Sequence, residues 1–227
     1  MLNVKNTILD SLLAVVAPHL CSGCGQIGST FCDNCKYNII DEPISACILC
    51  EKPSSQGVCA DHKTAFNQAW IVGMRSGALQ RLVGGFKFRN MKASYKDLAD
   101  LLHKRLPQLP HLTVFVPIPT TPVHIRERGY DHMLLVARGL GRLRHLPVEQ
   151  FLVRDNFLVQ HRANRKDRFA QAATAFKVKG IIDPNSTYIL LDDVITTGST
   201  ILQAALLLKQ AGATTIWVAA TSRQPLD

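Results

Sequence analysis

The chain has 227 residues, 47% of them hydrophobic and 19% charged, enough for one sizeable packed core with a small module attached and unlike an extended disordered chain. Its 26 Lys/Arg exceed its 17 Asp/Glu, for a formal charge of +9, which favours polyanionic partners such as a phosphorylated small molecule or a nucleic-acid backbone. The charge is uneven: residues 1–66 hold 4 Lys/Arg and 6 Asp/Glu and residues 67–227 hold 22 and 11, so two units with that boundary are expected and the basicity belongs to the second.

At the amino end, Ile8, Leu9, Leu12, Leu13, Val15 and Val16 form an apolar stretch interrupted by Asp10. It is too short to span a bilayer and has only Lys5 before it, a poor match to a signal peptide. The expectation is an amphipathic helix packed on the protein, with membrane-surface association as the alternative. No other segment is apolar enough to span, and a cytoplasmic location follows.

All seven cysteines lie between Cys21 and Cys59, in a regular spacing. Cys21-x2-Cys24 and Cys32-x2-Cys35 form two knuckles, and Cys47-x2-Cys50 and Cys59-x2-His62 form two more. Two-residue gaps bring both ligands of a knuckle to one ion, so the pattern predicts two structural Zn²⁺ sites, one with four cysteines and one with three cysteines and His62. Disulfides compete with this reading, but an odd cysteine count and no export signal oppose them. Spacing alone leaves open whether the first and second knuckles share an ion or the first and third do. Closed four-ligand sites hold structure together, so this zinc-ribbon-like module is expected to dock a partner or brace the second unit.

Beyond the knuckles, strand and helix patterns alternate. Ala69–Gly73 reads as a strand, Ala78–Phe86 and Lys92–Leu106 as helices and Thr113–Pro117 as a buried strand. Met133–Leu143 is a helix, and further strands are expected around Val148–Val153 and at Thr215–Ala220. The implied α/β fold is a mostly parallel sheet with helices on both faces.

Within it, the run from Tyr188 to Thr200 stands apart. Ile189, Leu190 and Leu191 form a short buried strand, Asp192 and Asp193 fall at its end, and Thr196, Thr197, Gly198, Ser199 and Thr200 lead into a helical run from Ile201 to Lys209. Amides at a helix N-terminus and the positive end of its dipole receive a phosphate, and Gly198 permits close approach. The two carboxylates suit ribose hydroxyls or a hydrated Mg²⁺. Together these features fit a sugar 5-phosphate.

This run resembles the signature loop of type I phosphoribosyltransferases, which hold the ribose 5-phosphate of phosphoribosyl pyrophosphate (PRPP). Val116-Pro117-Ile118-Pro119-Thr120-Thr121 corresponds to their pyrophosphate loop, and the basic, glycine-hinged segment Arg126-Glu127-Arg128-Gly129-Tyr130 reads as a flexible lid with Arg128 neutralising the leaving group. With the knuckles in front, nearly the whole chain is similar to the competence protein F family. Leu82 to Arg89 resembles its Lys-Tyr/Phe motif, and Gln160, Arg168, Ala175 and Phe176 match later positions. Asp131 and His132 stand where Asn-Gln is usual, and Gln171 where Asn is expected.

The resemblance implies displacement of pyrophosphate from PRPP with Mg²⁺ on the leaving group. In it Asp192, Asp193 and Arg128 carry the catalytic roles, and Thr120, Thr121 and Thr196 to Thr200 hold the phosphates. Whether turnover occurs stays open. Purine-salvage relatives place an Asp at the position of Thr196, so a purine acceptor is disfavoured, and nothing resembles a glutaminase domain. The family also implies a role in natural competence or DNA utilisation. On that reading Arg81, Lys87, Arg89, Lys92 and residues Arg165 to Arg168 bind single-stranded DNA electrostatically, and the zinc module meets competence or DNA-processing proteins.

Overall fold

The computed structural model describes residues 18–42, 44–154 and 176–226. The expected amino-terminal helix lies outside the described residues, as do Gln160, Arg165 to Arg168, Gln171 and Ala175.

Four parallel strands make the central sheet: β1 (Gln68–Met74), β2 (Thr113–Pro117), β5 (Thr187–Ile195) and β6 (Thr215–Arg223), in the order β1-β6-β5-β2. They read as near-continuous apolar runs because both faces are covered. Leu190 and Leu191 show why: both are 0% exposed, Leu191 facing one core and Leu190 the other. Each such burial stabilises by roughly 2 kcal/mol. The first core is closed by helices α2 (Gly77–Phe88), α3 (Tyr95–Arg105) and α5 (His132–Arg144), through Leu82, Leu98, Leu102, Val136 and Leu140. The second is closed by α6 (Ser199–Gln210), through Ile201, Ala204 and Leu208. Helices thus cover both faces of a parallel sheet, as the alternating pattern implies.

The expected strand at Val148–Val153 divides in two. Val148 bridges Phe115 in parallel at the sheet edge, whereas β3 (Leu152–Arg154) leaves the sheet and pairs antiparallel with β4 (Phe176–Val178). The helix expected over Lys92–Leu106 opens with a tight turn at Lys92–Ser94 before α3 begins. Arg126 and Arg128 do not lie in a flexible loop. They belong to the short helix α4 (Pro122–Arg128), capped by the Thr121 side chain and ended by Gly129 in the left-handed region. Proline at the first helical position and a capping threonine stabilise that turn.

The cysteine segment contributes to both cores. Cys21 and Phe31 enter the first, and Ile48 and Phe66 the second. Its one helix among the described residues is α1 (Asp33–Ile40). Lys36 of α1 is buried and bonds to Asp97 at 2.9 Å and Asp100 at 3.0 Å on α3. Burial opposes its charge, but the two carboxylates outweigh it and hold the ammonium above its ordinary pKa. Arg105 of α3 donates to the carbonyls of Ile39 at 2.9 Å and Val72 at 2.8 Å, tying α1 to β1. Gly57, at φ 71°, lies so close to β1 that a Cβ there would sit 2.1 Å from the Ala69 carbonyl oxygen. Among the described residues no helix is long and apolar enough to cross a membrane.

Lys36→Ala leaves the half-buried Asp97 without its cation while Asp100 keeps Lys104 at 3.0 Å, and a loss of about 2 kcal/mol is expected. Urea denaturation followed by tryptophan fluorescence checks it; a loss within about 0.5 kcal/mol, the size of a surface change, contradicts the assignment.

Candidate functional site

Parallel strands place the ends of β1, β2, β5 and β6 on one edge of the sheet, where α/β proteins bind ligands. Here the β5 strand runs further than its apolar core suggests. Asp192 pairs in register with Ala220, and pairing continues to Ile195. The two acids are therefore strand residues rather than loop residues, and adjacent strand positions project to opposite sides.

Asp193 is 5% exposed. Its Oδ2 meets Lys87 Nζ of α2 at 2.8 Å and His132 Nε2 of α5. An Arg can only donate, so the 3.0 Å contact from Arg128 to His132 Nδ1 makes that nitrogen an acceptor and leaves the proton on Nε2, pointing at Asp193. Thr120 Oγ1 donates to Asp131 at 2.8 Å and lies 2.9 Å from His132 Nδ1. Burial pushes the Asp193 carboxyl up, but the His132 bond and the Lys87 charge outweigh it and hold the group ionised well below the usual carboxylate range. Its backbone carbonyl accepts from Thr221 at 2.5 Å and from Ser222 at 3.1 Å.

Asp192 sits in the opposite situation. It shares none of those cations, accepts from the Asp193 amide at 2.9 Å, and feels Lys87 and Arg154 only at a distance. Burial first, then the charge of Asp193, raise its carboxyl to about 8. The pair is thus split into one fixed anion and one carboxyl that is protonated at neutral pH, a division typical of functional acids.

After β5 the chain turns at Gly198, φ 76°, which is also the N-cap of α6. A residue with no side chain offers no cap of its own; the Ser199 amide donates to Thr197 Oγ1 at 3.4 Å, which leaves the Thr200 and Ile201 amides of the first turn to face an anion. Thr196 and Thr197 are exposed and Ser199 and Thr200 half-buried. Thr197 Oγ1 donates to Ser199 Oγ at 3.0 Å. Arg223, 2% exposed, braces the turn from beneath by donating to the carbonyl of Thr196 at 2.5 Å.

The geometry joins most of the expected residues but divides their duties. Asp192, Asp193 and the 196–200 turn are continuous. Thr120 and Arg128 reach them through His132, and Thr121 caps α4. Arg128 also stacks over Phe88 at 5.6 Å. Asp131 caps α5 by accepting from the Leu134 amide, so it does not oppose Arg128 in the way its neighbouring position suggests. Lys87 and His132 are central here. The sequence marks both, the first in the Lys-Phe motif and the second as a departure, but neither mark reveals that they meet one carboxylate.

A separate cavity of about 490 Å³ runs along the outer side of α2, lined by Arg75, Gln80, Arg81, Gly84, Phe88 and Arg89. Arg81 is engaged with the Ser22 and Gly23 carbonyls, whereas Arg89 and Phe88 are exposed.

In the cysteine segment, Cys21, Cys24, Cys32 and Cys35 bring their sulfurs together, as do the donors of Cys47, Cys50, Cys59 and His62, each set within 4.8 Å. Knuckles therefore pair in sequence order. A tetrahedral zinc–thiolate site has ligand–ligand edges of about 3.8 Å. Cys24 and Cys32 stand 3.6 Å apart, Cys50 and Cys59 3.6 Å, and Cys47 and His62 Nδ1 3.7 Å, so the donor sets fit the ion. The same spacings are far too long for disulfides, and all seven thiols are free. Burial pushes the Cys21 thiol up, but the amides of Cys32, Cys24 and Gly23 outweigh it and bring it to about 6, ready to ligate as thiolate.

No family model matches the chain. It is 29% identical over 211 residues to competence protein F of Haemophilus influenzae, covering 88% of each chain. It is 27% identical over 200 residues to competence protein ComFC of Streptococcus pneumoniae, covering 86% of this chain and 83% of that one. Among solved structures it is similar to a glutamine PRPP amidotransferase from Bacillus subtilis, with 19% identity and a TM-score of 0.40, over 56% of this chain and 25% of the other.

Because the folded Asp192 carboxyl is raised to about 8 above an unfolded value near 4, the unfolded chain releases that proton first. Wild-type stability therefore falls as pH rises from about 4 to about 8. Asp192→Asn keeps the acceptor and removes the titration, and it is expected to be the more stable protein at pH 8 by over about 1 kcal/mol while matching wild type at pH 4. Paired denaturation curves across that range decide it; parallel pH profiles contradict the assignment.

Proposed function

We propose that this chain, similar over most of its length to competence proteins F and ComFC, binds PRPP or a related sugar phosphate at the edge of its sheet and serves in DNA uptake or utilisation. The observation that carries the reading is the run from Tyr188 to Thr200, a buried strand passing through two unlike carboxylates into an uncapped helix N-terminus.

On this reading the 5-phosphate sits against the open amides of α6 and the hydroxyls of Thr196, Thr197, Ser199 and Thr200. Asp192, protonated at neutral pH, both donates to and accepts from ribose hydroxyls. Asp193 stays ionised and supplies negative charge beneath the sugar, where an oxocarbenium-like centre develops on loss of pyrophosphate. Arg128 and the 120–121 turn lie on the pyrophosphate side. Mg²⁺, bound with the sugar pyrophosphate, neutralises the leaving group. The reading holds for binding with or without turnover. Two zinc ions hold the knuckles, and the first knuckle exposes Leu20, Ile27 and Tyr37 as an apolar surface for a protein partner.

Calorimetry with PRPP and Mg²⁺ tests the reading. Asp192→Ala/Asp193→Ala and, separately, Thr197→Ala/Ser199→Ala should each weaken binding at least about tenfold, the loss of one or two charge-assisted bonds. Unchanged affinity in both folded variants removes the site assignment.

The arginine-lined groove on α2 favours a second reading, in which a single strand of DNA lies there by phosphate contact beside the exposed ring of Phe88. Lys87 is committed to Asp193 and Arg75 donates to Gln224 at 2.9 Å, so the exposed Arg89 carries the contact. Binding should then weaken steeply between 50 and 200 mM salt, by roughly tenfold or more for a few phosphate contacts, and Arg89→Glu should weaken it further. Salt-independent retention in a filter or anisotropy titration rejects this reading.

A further inference from the structure

The second donor set, Cys47, Cys50, Cys59 and His62, closes as one knuckle unit and does more than cover the sheet. Between its ligands Cys47 and Cys50, Leu49 reaches the signature turn and fills the space of the missing Gly198 side chain, with Cδ2 2.4 Å from where a Cβ would stand. Directly after Cys50, Glu51 is held at φ 60°, an unfavourable conformation for a residue with a side chain. Its Oε1 accepts from the Leu226 amide at 3.0 Å and faces Arg223 at 3.9 Å. Arg223 in turn donates to the carbonyls of Ile195 at 3.4 Å and Thr196 at 2.5 Å. Ile48, also between the two cysteines, packs in the core that contains Ile195 and Ile201.

Thus three residues inside or beside one zinc set, Ile48, Leu49 and Glu51, bear on the signature turn from the core, from the glycine and through the arginine beneath it. Among the described residues the Cys21, Cys24, Cys32 and Cys35 set makes its contacts elsewhere: its carbonyls bind Arg81, and Lys36, in the helix carrying Cys35, binds Asp97 and Asp100 on α3.

We propose that metal occupancy of the Cys47, Cys50, Cys59 and His62 set regulates the ribose-phosphate turn, with Leu49 and Glu51 as the positioning residues that transmit it. When the knuckle is closed on its ion, Leu49 and Glu51 are fixed and the turn holds the conformation in which the α6 amides converge. When the knuckle opens, both supports leave together and the turn loosens, lowering affinity for a sugar phosphate. The inference rests on the reading of residues 196–200 as a phosphate cradle only in its last step; the mechanical link stands on the contacts alone.

Hydrogen exchange by mass spectrometry on the zinc-loaded full chain tests the link without any ligand. Leu49→Ala and Glu51→Gln, each retaining its full zinc content, should exchange the amides of residues 196–202 about tenfold faster than wild type, as a locally opened segment does, with α3 unchanged. Cys59→Ser, which opens the second donor set, should do the same. Cys24→Ser, which opens the first, should speed exchange in α1 and leave residues 196–202 as they are. Wild-type exchange at 196–202 in Leu49→Ala and Cys59→Ser overturns the proposal, as does an equal response to Cys24→Ser. A parallel titration with ribose 5-phosphate separates the two readings. If wild type binds and Leu49→Ala binds about tenfold more weakly, regulation of the cradle is supported. If wild type fails to bind although exchange responds, the mechanical link holds and the phosphate reading fails.

Discussion

A carboxylate that is 5% exposed has to find cations inside the protein, because an unpaired buried charge costs several kcal/mol. Asp193 is met from two different helices, by a cation, Lys87 on α2, and by the Nε2–H of His132 on α5. The imidazole is then oriented by Arg128 at the end of α4 and by Thr120 at the end of β2. One oxygen atom therefore fixes where three helices stand relative to the end of β5. The arrangement also explains the contrast between the two acids: with Lys87 and His132 bonded to Asp193, the half-buried Asp192 has only its neighbour's amide, and desolvation with the charge of Asp193 raises its carboxyl.

The opposite face meets a different constraint. Its core is closed by α6 and by Ile48 and Phe66 of the cysteine segment, so the metal-binding turns belong to the same packing problem as the sheet. Small cysteine-rich segments bury too little apolar surface to fold alone. Here the shortfall is made up by contact with β1 and with the turn ahead of α6, and conversely those elements depend on the knuckles for cover. The buried Lys36 cluster and the Arg105 clamp serve the same union on the other side.

The fold was largely legible because its elements obey strong periodicities. The apolar runs at Thr113–Pro117 and Ile189–Leu191 are too short for helices, and the stripes around Leu98 to Leu102 and Met133 to Leu140 recur at helical spacing. The cysteine spacing likewise marked four knuckles, although only the convergence of their donor atoms decided which of them pair. What escaped was governed by single local contacts. The α4 helix has no apolar stripe and is set by the Thr121 cap and Gly129, which gives a basic, proline-led sequence the look of a loop. The continuation of β5 past two aspartates is paid for by pairing with β6 and by the Lys87 and His132 contacts, none of which is local in sequence. The β3–β4 pair joins three-residue strands, below the length at which alternation is visible. In the candidate site the glycine turn ahead of α6 was plain from its residues, whereas the unlike environments of Asp192 and Asp193 depend on His132 and Lys87, 61 and 106 positions from Asp193.

The sharing of both cores between the cysteine segment and the sheet bears on how the chain is born. Residues 21–62 leave the ribosome before any strand they cover, and β6, at the centre of the sheet beside β5, is made last. A nascent chain thus carries ready ion-binding turns while its apolar strands still lack their middle partner. On the zinc reading proposed above, synthesis in a metal-starved cell leaves both halves incomplete together, and the burden falls on chaperones and proteases.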